Sequence, residues 1–500
     1  MKRNAFGFLP VVPALIALVL AMPASAQFTL VKISTDTLHN SDSVHRTEVE
    51  PDMFAWGSTI VSTFHVARIP GPGWGSGDVG FSTSTDGGKT WTSGILPALT
   101  VNYKSGTYGW AADPSVAYDA KHKEWLISTL PLAGQSNSGV IGDVAVSRSK
   151  DGLHWGKPII IDKTHLDDKN WTTCDNTPSS PFYGNCYTEW DQAFGSGDVL
   201  MSTSSDGGLT WGPGKASADN AGGLGGEPVV QPNGTVIVPF SGGGINAFRS
   251  TNGGKSWSST VTIGNPITHA EAGNFRSFVD LPSVGIDAAG KVYAVWWDCS
   301  FRSGCSSNDI VISTSTDGVK WTKAARIPID PVKSTVDHFI AGIGVDPATS
   351  GKSAHLTVVY YYFPVSNCGN CQLDVGFTTS QDGGQTWTAG KQLAGPMKLT
   401  WLPLSDGGYM VADYIGVTYS QGKPFGVFMV AKAPAGGLLN EAAYTTKQPL
   451  LAAAGEPRFS STGENPVPGA KADHEMKFYY DDEGKVAIPP SRLIPPQKQK

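Results

Sequence analysis

The octapeptide Ser84-Thr-Asp-Gly-Gly-Lys-Thr-Trp91 recurs along this chain. Full-length copies run from Ser204 to Trp211, Ser250 to Trp257 and Ser380 to Trp387, and shortened ones from Ser149 to Trp155 and Ser315 to Trp321. Their acidic or amide positions, Asp86, Asp151, Asp206, Asn252, Asp317 and Asp382, are spaced by 65, 55, 46, 65 and 65 residues. Such regular spacing marks one structural unit used repeatedly. The chemistry of the octapeptide is that of a turn. Asp or Asn accepts backbone N–H groups two residues on, the glycines supply positive φ, and the Ser or Thr hydroxyls tie the loop ends. Tryptophan then plugs the base of the hairpin. Six copies of one catalytic device in one chain would be odd, so these residues are assigned to the scaffold.

Short β-rich runs flank each copy, such as Asp143-Val-Ala-Val-Ser147 and Asp309-Ile-Val-Ile-Ser313, and read as strands entering a hairpin. A second pattern lies upstream of each turn, where a strand starts after an acidic or prolyl corner. Candidates are Glu48-Val-Glu-Pro51, Asp113-Pro-Ser-Val-Ala-Tyr118, a poorly defined one near Trp171-Thr-Thr-Cys174, and Glu227-Pro-Val-Val230. Leu281-Pro-Ser-Val-Gly-Ile286, Phe339-Ile-Ala-Gly-Ile-Gly-Val345 and Val411-Ala-Asp-Tyr-Ile-Gly-Val417 follow. The 500 residues include 60 Gly and 34 Pro and are only 16% charged, which argues against a helical bundle. Fifteen Trp and 40% hydrophobic residues supply a core and exclude wholesale disorder. A net charge of −6 offers no basic footprint for nucleic acid.

The octapeptide resembles the Asp-box, or BNR repeat, of the sialidase superfamily, whose fold is a β-propeller of four-stranded blades. The six copies cover the chain from about residue 45 to 390. The resemblance implies an all-β propeller over residues 27–451. Seven first strands point to seven blades, with six, the number in that family's sialidases, as the alternative. Phe28 to Ser34 would lend the outer strand of the last blade.

Lys2 and Arg3, the apolar stretch Val11 to Leu20 and Ala24-Ser25-Ala26 form a secretory signal, so residues 1–26 are expected to be removed and the protein exported to the periplasm or beyond. The stretch contains Pro13 and falls short of the about 20 residues that span a bilayer. No membrane insertion is expected. Three local cysteine pairs, Cys174 with Cys186, Cys299 with Cys305 and Cys368 with Cys371, read as disulfides. Residues 452–500, rich in proline and ending in Lys498 and Lys500, read as an extended tail.

Loops entering the first strands should gather chemistry around a central funnel. They present Arg46 and Glu48, Asp113, Asp167 and Asp168, Glu227, Glu271 and Arg276, Asp337 and His338, and Asp413 and Tyr414. Hydrolysis of a glycosidic bond needs an acid and an opposing base or nucleophile. The sialidase resemblance implies an Asp acid, a Tyr nucleophile activated by Glu, and three arginines that grip a substrate carboxylate. In that chain order Arg46, Asp113, Glu227, Arg276, Arg302 and Tyr414 are the matching positions, with Asp168 and His338 as further substrate contacts. The family's Arg-Ile-Pro also occurs, at Arg68 and at Arg326, but neither copy sits on a first strand. The expectation is a secreted, monomeric glycoside hydrolase acting on terminal, acidic sugars, without cofactor or metal. A non-catalytic glycan- or protein-binding propeller and a polysaccharide lyase using His338 or Tyr414 are the alternatives.

Overall fold

The structure, a computed structural model, describes residues 28–70, 74–136, 139–164, 167–193, 195–277, 280–405, 407–461, 464–467, 479–480 and 486–487. The expected signal segment lies outside them. The described chain is all-β, relieved by three single-turn 3-10 helices. Its strands form successive antiparallel sets. The first comprises Val44–Trp56, Thr59–Arg68, Ser76–Ser84 and Thr92–Ile95. The second, Trp110–Asp119, Glu124–Ser136, Val144–Ser149 and Ile159–Asp162, joins it through the Ser76–Ala111 pair. Three four-stranded sheets follow, opening with Asp168–Cys174, Val229–Val230 and Ser283–Ile286, and a fourth opens with Asp337–Val345. The last set is split. The hairpin Val417–Ser420 with Lys423–Gly426 precedes Phe428–Ala431, which pairs with Glu441–Thr446, whose other edge takes the N-terminal strand Leu30–Lys32.

The first strands are bent where it matters. Glu50, Asp113, Lys169 and Ile340 have φ of 51°, 43°, 42° and 46°, each where the ladder to the second strand slips register. A left-handed non-glycine residue costs about 1–3 kcal/mol and persists only where its surroundings fix it. Side chains at the first strands reach the neighbouring sheet, beside the slip in the first two sheets and without one in the fourth and fifth. Asp52 Oδ2 accepts the Val116 N–H at 2.8 Å, Ser115 Oγ the Thr172 N–H at 3.0 Å, Glu227 Oε2 the Val284 N–H at 3.1 Å, and Ser283 Oγ the Ile343 N–H at 3.2 Å. At the seam between the ends of the chain, Gly416 donates to the Pro51 carbonyl at 2.9 Å and Glu50 to that of Val411 at 3.1 Å.

The octapeptides close outer hairpins. Asp86 Oδ1 accepts N–H groups from Lys89 and Thr90 at 3.0 Å, while Ser84 Oγ accepts that of Gly88 at 2.9 Å. Asp206 and Asp382 repeat the pattern. The bonds fall three and four residues on, rather than two, because two consecutive left-handed glycines lengthen the loop. In the shortened copies Asp151 and Asp317, followed by one glycine, reach two and three residues on at 2.8 Å. Trp387 is fully buried and its indole donates to the Gly384 carbonyl at 3.0 Å, whereas Trp91 is half-buried.

The cysteines pair as expected, Cys174 with Cys186, Cys299 with Cys305 and Cys368 with Cys371. The segment after residue 452 is not wholly a free tail. Arg458–Ser460 pairs with Thr386–Thr388, Glu464 meets Arg326 at 3.1 Å, and Val467 donates to the Ser300 carbonyl at 2.8 Å. Its backbone finds partners on sheet edges that sequence alone does not reveal.

Trp387→Ala should cost about 3–5 kcal/mol by denaturant unfolding, with Trp91→Ala clearly milder. A second expectation concerns Glu48, buried beside the seam strand that begins at Glu441. Burial pushes Glu48 up to about 8 and Glu441 well above the carboxylate range, the latter also through Glu48. A carboxyl raised on folding stabilises most below its unfolded value of about 4.3, and that contribution is lost as pH climbs toward 8. The melting temperature should therefore fall between about pH 5 and pH 8, and Glu48→Gln should flatten the slope.

Candidate active site

Three of the bent positions meet. Glu50, Asp113 and Lys169, from successive first strands, converge with Asp413 and Tyr414 ahead of the last hairpin and with Arg276 from the loop before the fifth sheet. Lys169 Nζ stands 2.7 Å from Asp113 Oδ1, 2.8 Å from Asp413 Oδ2 and 3.7 Å from Glu50 Oε1. Arg276 grips Asp413 with two nitrogens, at 3.0 and 2.5 Å. His65, in the second strand of the first sheet, accepts the Asp113 N–H on Nε2 at 2.8 Å. Arg68, at the end of that strand, reaches Met410 Sδ at 3.4 Å and the Gly75 carbonyl. All of these side chains are buried.

The charges follow from this packing. Burial opposes the Lys169 ammonium, but Asp113, Asp413 and Glu50 hold it firmly charged. Burial likewise opposes ionised Asp413, yet Arg276 and Lys169 keep it well below the usual carboxylate range. Asp113 goes the other way, lifted by burial to about 6 against the pull of Lys169. Burial lowers His65 to about 3, leaving a neutral imidazole. Asp168, on the edge of the group, is raised to about 7 by burial and then by Asp113.

A cavity of about 20 Å³ adjoins this cluster, with Lys169, Asp413 and Tyr414 on one side and Glu227 and the Gly225–Gly226 backbone on the other. Glu227 is half-buried, and burial, then Asp52, pushes its carboxyl well up. The Tyr414 ring meets Trp171 edge-on at 5.1 Å, and its hydroxyl donates to the Pro114 carbonyl at 3.3 Å. Burial, with Glu50 and Asp113 behind it, keeps that phenol protonated.

Asp113, Asp168, Glu227, Arg276 and Tyr414 thus share one neighbourhood, whereas Arg302 and His338 belong to another. Arg302 and Arg326 converge on Asp309 at 2.5 and 2.8 Å and on Asp330 at 2.9 and 2.6 Å, with His338 beside Asn308 and Tyr360. Arg46 gives its backbone N–H to Asp36 at 2.8 Å, and among the described residues no contact ties it to the cluster. Among the described residues, potential metal ligands approach within 4.8 Å in two triads, Glu50–His65–Asp113 and Asp309–Asp330–His338. Each already holds lysine or arginine counter-charges, so neither donor set suits a further cation. Glu50, His65, Arg68 and Lys169 were absent from the expected site. A usable signal was the shared corner Glu50-Pro51, Asp113-Pro114, Glu227-Pro228 and Leu281-Pro282, whose counterpart in the third sheet is Lys169-Asn170.

No family model matches the sequence, and no curated protein matches it. Among solved structures, the chain is similar to the Hadza microbial sialidase Hz136, at 18% identity over 71% of this chain and 68% of that one, with a TM-score of 0.41. It is similar to the NanB sialidase from Streptococcus pneumoniae at 14% identity, 85% and 71% coverage and a TM-score of 0.41. It is also similar to a polysaccharide lyase of the PL25 family, an ulvan lyase, at 11% identity, 84% and 96% coverage and a TM-score of 0.46.

Asp413→Ala would leave Arg276 and Lys169 short of a buried counter-ion. A loss of about 3–5 kcal/mol is expected in denaturant unfolding. Loss of less than about 1 kcal/mol, the worth of an exposed pair, would mean the cluster is solvated.

Proposed function

We propose that this protein is a secreted, sialidase-like β-propeller of seven blades that hydrolyses glycans. The order of the strand sets supports the architecture. Hydrogen bonds join the first strands of sheets one to three and of sheets four to six, the last set bonds back to Glu50 and Pro51 through Val411 and Gly416, and Leu30–Lys32 completes the last set as an outer strand. The Asp-box resemblance of the six octapeptides agrees with it. Export rests on the Lys2–Ala26 pattern and is consistent with three formed disulfides.

One observation carries the activity. Two carboxyl groups line a single cavity, and their surroundings push them apart: Glu227 upward by burial, Asp413 downward despite burial by Arg276 and Lys169. A neutral acid facing a fixed carboxylate is the division of labour glycoside hydrolysis requires. Glu227 protonates the departing glycosidic oxygen as its bond to carbon breaks, Asp413 stabilises the cationic sugar, and water then adds to that carbon while the Glu227 carboxylate takes back a proton from that water. Tyr414 stands next to Asp413 as the hydroxyl nearest the reacting carbon. Asp113 and Lys169 position that carboxylate. The cavity is narrower than a sugar ring, so the ring docks at its mouth and only the scissile group reaches the acid.

That same narrowness, with Lys169 and Arg276 already ion-paired, favours a non-catalytic glycan-binding propeller as the second reading. The lyase alternative is weaker, because His338 and Arg302 sit together with Asp309 and Asp330 and apart from Tyr414.

Assays on fluorogenic glycosides and a polysaccharide panel separate these readings. Glu227→Gln should lower kcat by about 10²–10⁴-fold. Tyr414→Phe should also slow turnover. Unchanged rates in both variants overturn the residue assignment, and retention on immobilised glycan without cleavage supports the binding module.

A further inference from the structure

The chemistry around the cavity also speaks to the charge of the ligand, an inference that rests on the glycan-acting reading above. Gripping an anionic sugar takes a guanidinium or ammonium with donors left over for a carboxylate or sulfate. Arg276 spends its Nε and Nη2 on Asp413, at 3.0 and 2.5 Å. Lys169 is divided between Asp113 and Asp413 at 2.7 and 2.8 Å. Arg68 points at the Gly75 carbonyl and at Met410. Arg46 and Arg302, the other arginines of the expected triad, lie with Asp36 and with Asp309 and Asp330 respectively.

Acids rather than cations stand behind the Gly225–Gly226 wall. Glu189 Oε1 accepts the Gly226 N–H at 3.1 Å and Asp191 Oδ1 that of Gly225 at 2.7 Å, and these two glycines line the cavity. The second oxygen of each carboxyl, Oε2 and Oδ2, is buried without a hydrogen-bond partner. Two such carboxyls, with Asp168 opposite Asp191 in the same ladder, can coexist out of water only if protons neutralise them. Burial accordingly raises Glu189 and Asp191 well above the carboxylate range. A substrate anion in this cavity would meet the carboxyls of Asp413 and Glu227 and a Lys169 ammonium already shared between Asp113 and Asp413. Its own charge would go uncompensated, at a cost that grows with desolvation. The protonated Glu227 carboxyl, by contrast, both donates to and accepts from sugar hydroxyls. The Trp171 and Tyr414 rings, also on the cavity wall, offer apolar faces to the C–H side of a sugar ring.

We infer that the site takes a glycan whose reacting residue is uncharged, held by hydroxyl hydrogen bonds and the Trp171 and Tyr414 rings, rather than a sialoside, uronide or sulfated sugar.

The test uses pairs of oligosaccharides, one neutral and one carrying a carboxylate: galactan against galacturonan fragments, xylan against glucuronoxylan fragments, and lactose against 3′-sialyllactose. Calorimetric binding is measured on the full chain carrying Glu227→Gln, and cleavage on the unaltered protein. At least one neutral member should bind ten times more tightly than its anionic partner. Equal affinity within a pair, tighter binding of the anionic member, or binding of none of the neutral members overturns the inference. Selective binding of a neutral glycan without cleavage leaves the inference standing and removes the hydrolase reading, so the two fail separately.

Discussion

The bend in the first strands of the first three sheets is the constraint on which the rest depends. At Glu50, Asp113 and Lys169 the backbone enters the left-handed region, which a strand interior does not otherwise adopt. The register slip has two effects. It sends the following side chains, Asp52 and Ser115, to the backbone of the adjacent sheet, and it leaves the bent residues facing one another. Hydrogen bonds between sheets and the charge cluster are therefore products of one backbone feature. The strain of about 1–3 kcal/mol per residue is tolerable because each bend is fixed from both sides.

The cluster itself is an arrangement of compensated charges. Ion pairs taken out of water are poor sources of stability but strong sources of uniqueness when each partner is matched. Here Lys169 and Arg276 together fix Asp413 as an anion, while burial leaves the carboxyls of Glu227, Glu189 and Asp191 to be neutralised by protons. A single cavity then presents both protonation states of the same functional group within one fold. This asymmetry, rather than any one residue, underlies the acid and base roles proposed for the site.

Scaffold and chemistry are separated by distance along each sheet. The octapeptides tie outer hairpins through Ser and Asp, and their tryptophans cap the packing between sheets. The charged groups gather at the first strands and the loops that enter them. The outer turns could be repeated six times without multiplying the site, because the residues they fix never approach the cavity.

The sequence by itself determined the repeating unit, its turn chemistry and the cysteine partners, since each is set by contacts between residues close along the chain, whereas the strand expected over Val411–Val417 instead starts at Val417. Asp113, Glu227, Arg276 and Tyr414 were legible as candidates for the same reason: they occupy corners that local pattern marks. Lys169 was not, because its strand opens with no Pro or acid at the bend, and His65 and Arg68 lie on a second strand where pattern predicts only core. The bent backbone decided that they belong to the site, and that Arg302 instead serves Asp309. Which carboxyl keeps its proton was likewise beyond the sequence. That depends on burial and on ion pairs between residues as far apart as Lys169 and Asp413, 244 positions along the chain, which only the packed sheets bring within 2.8 Å.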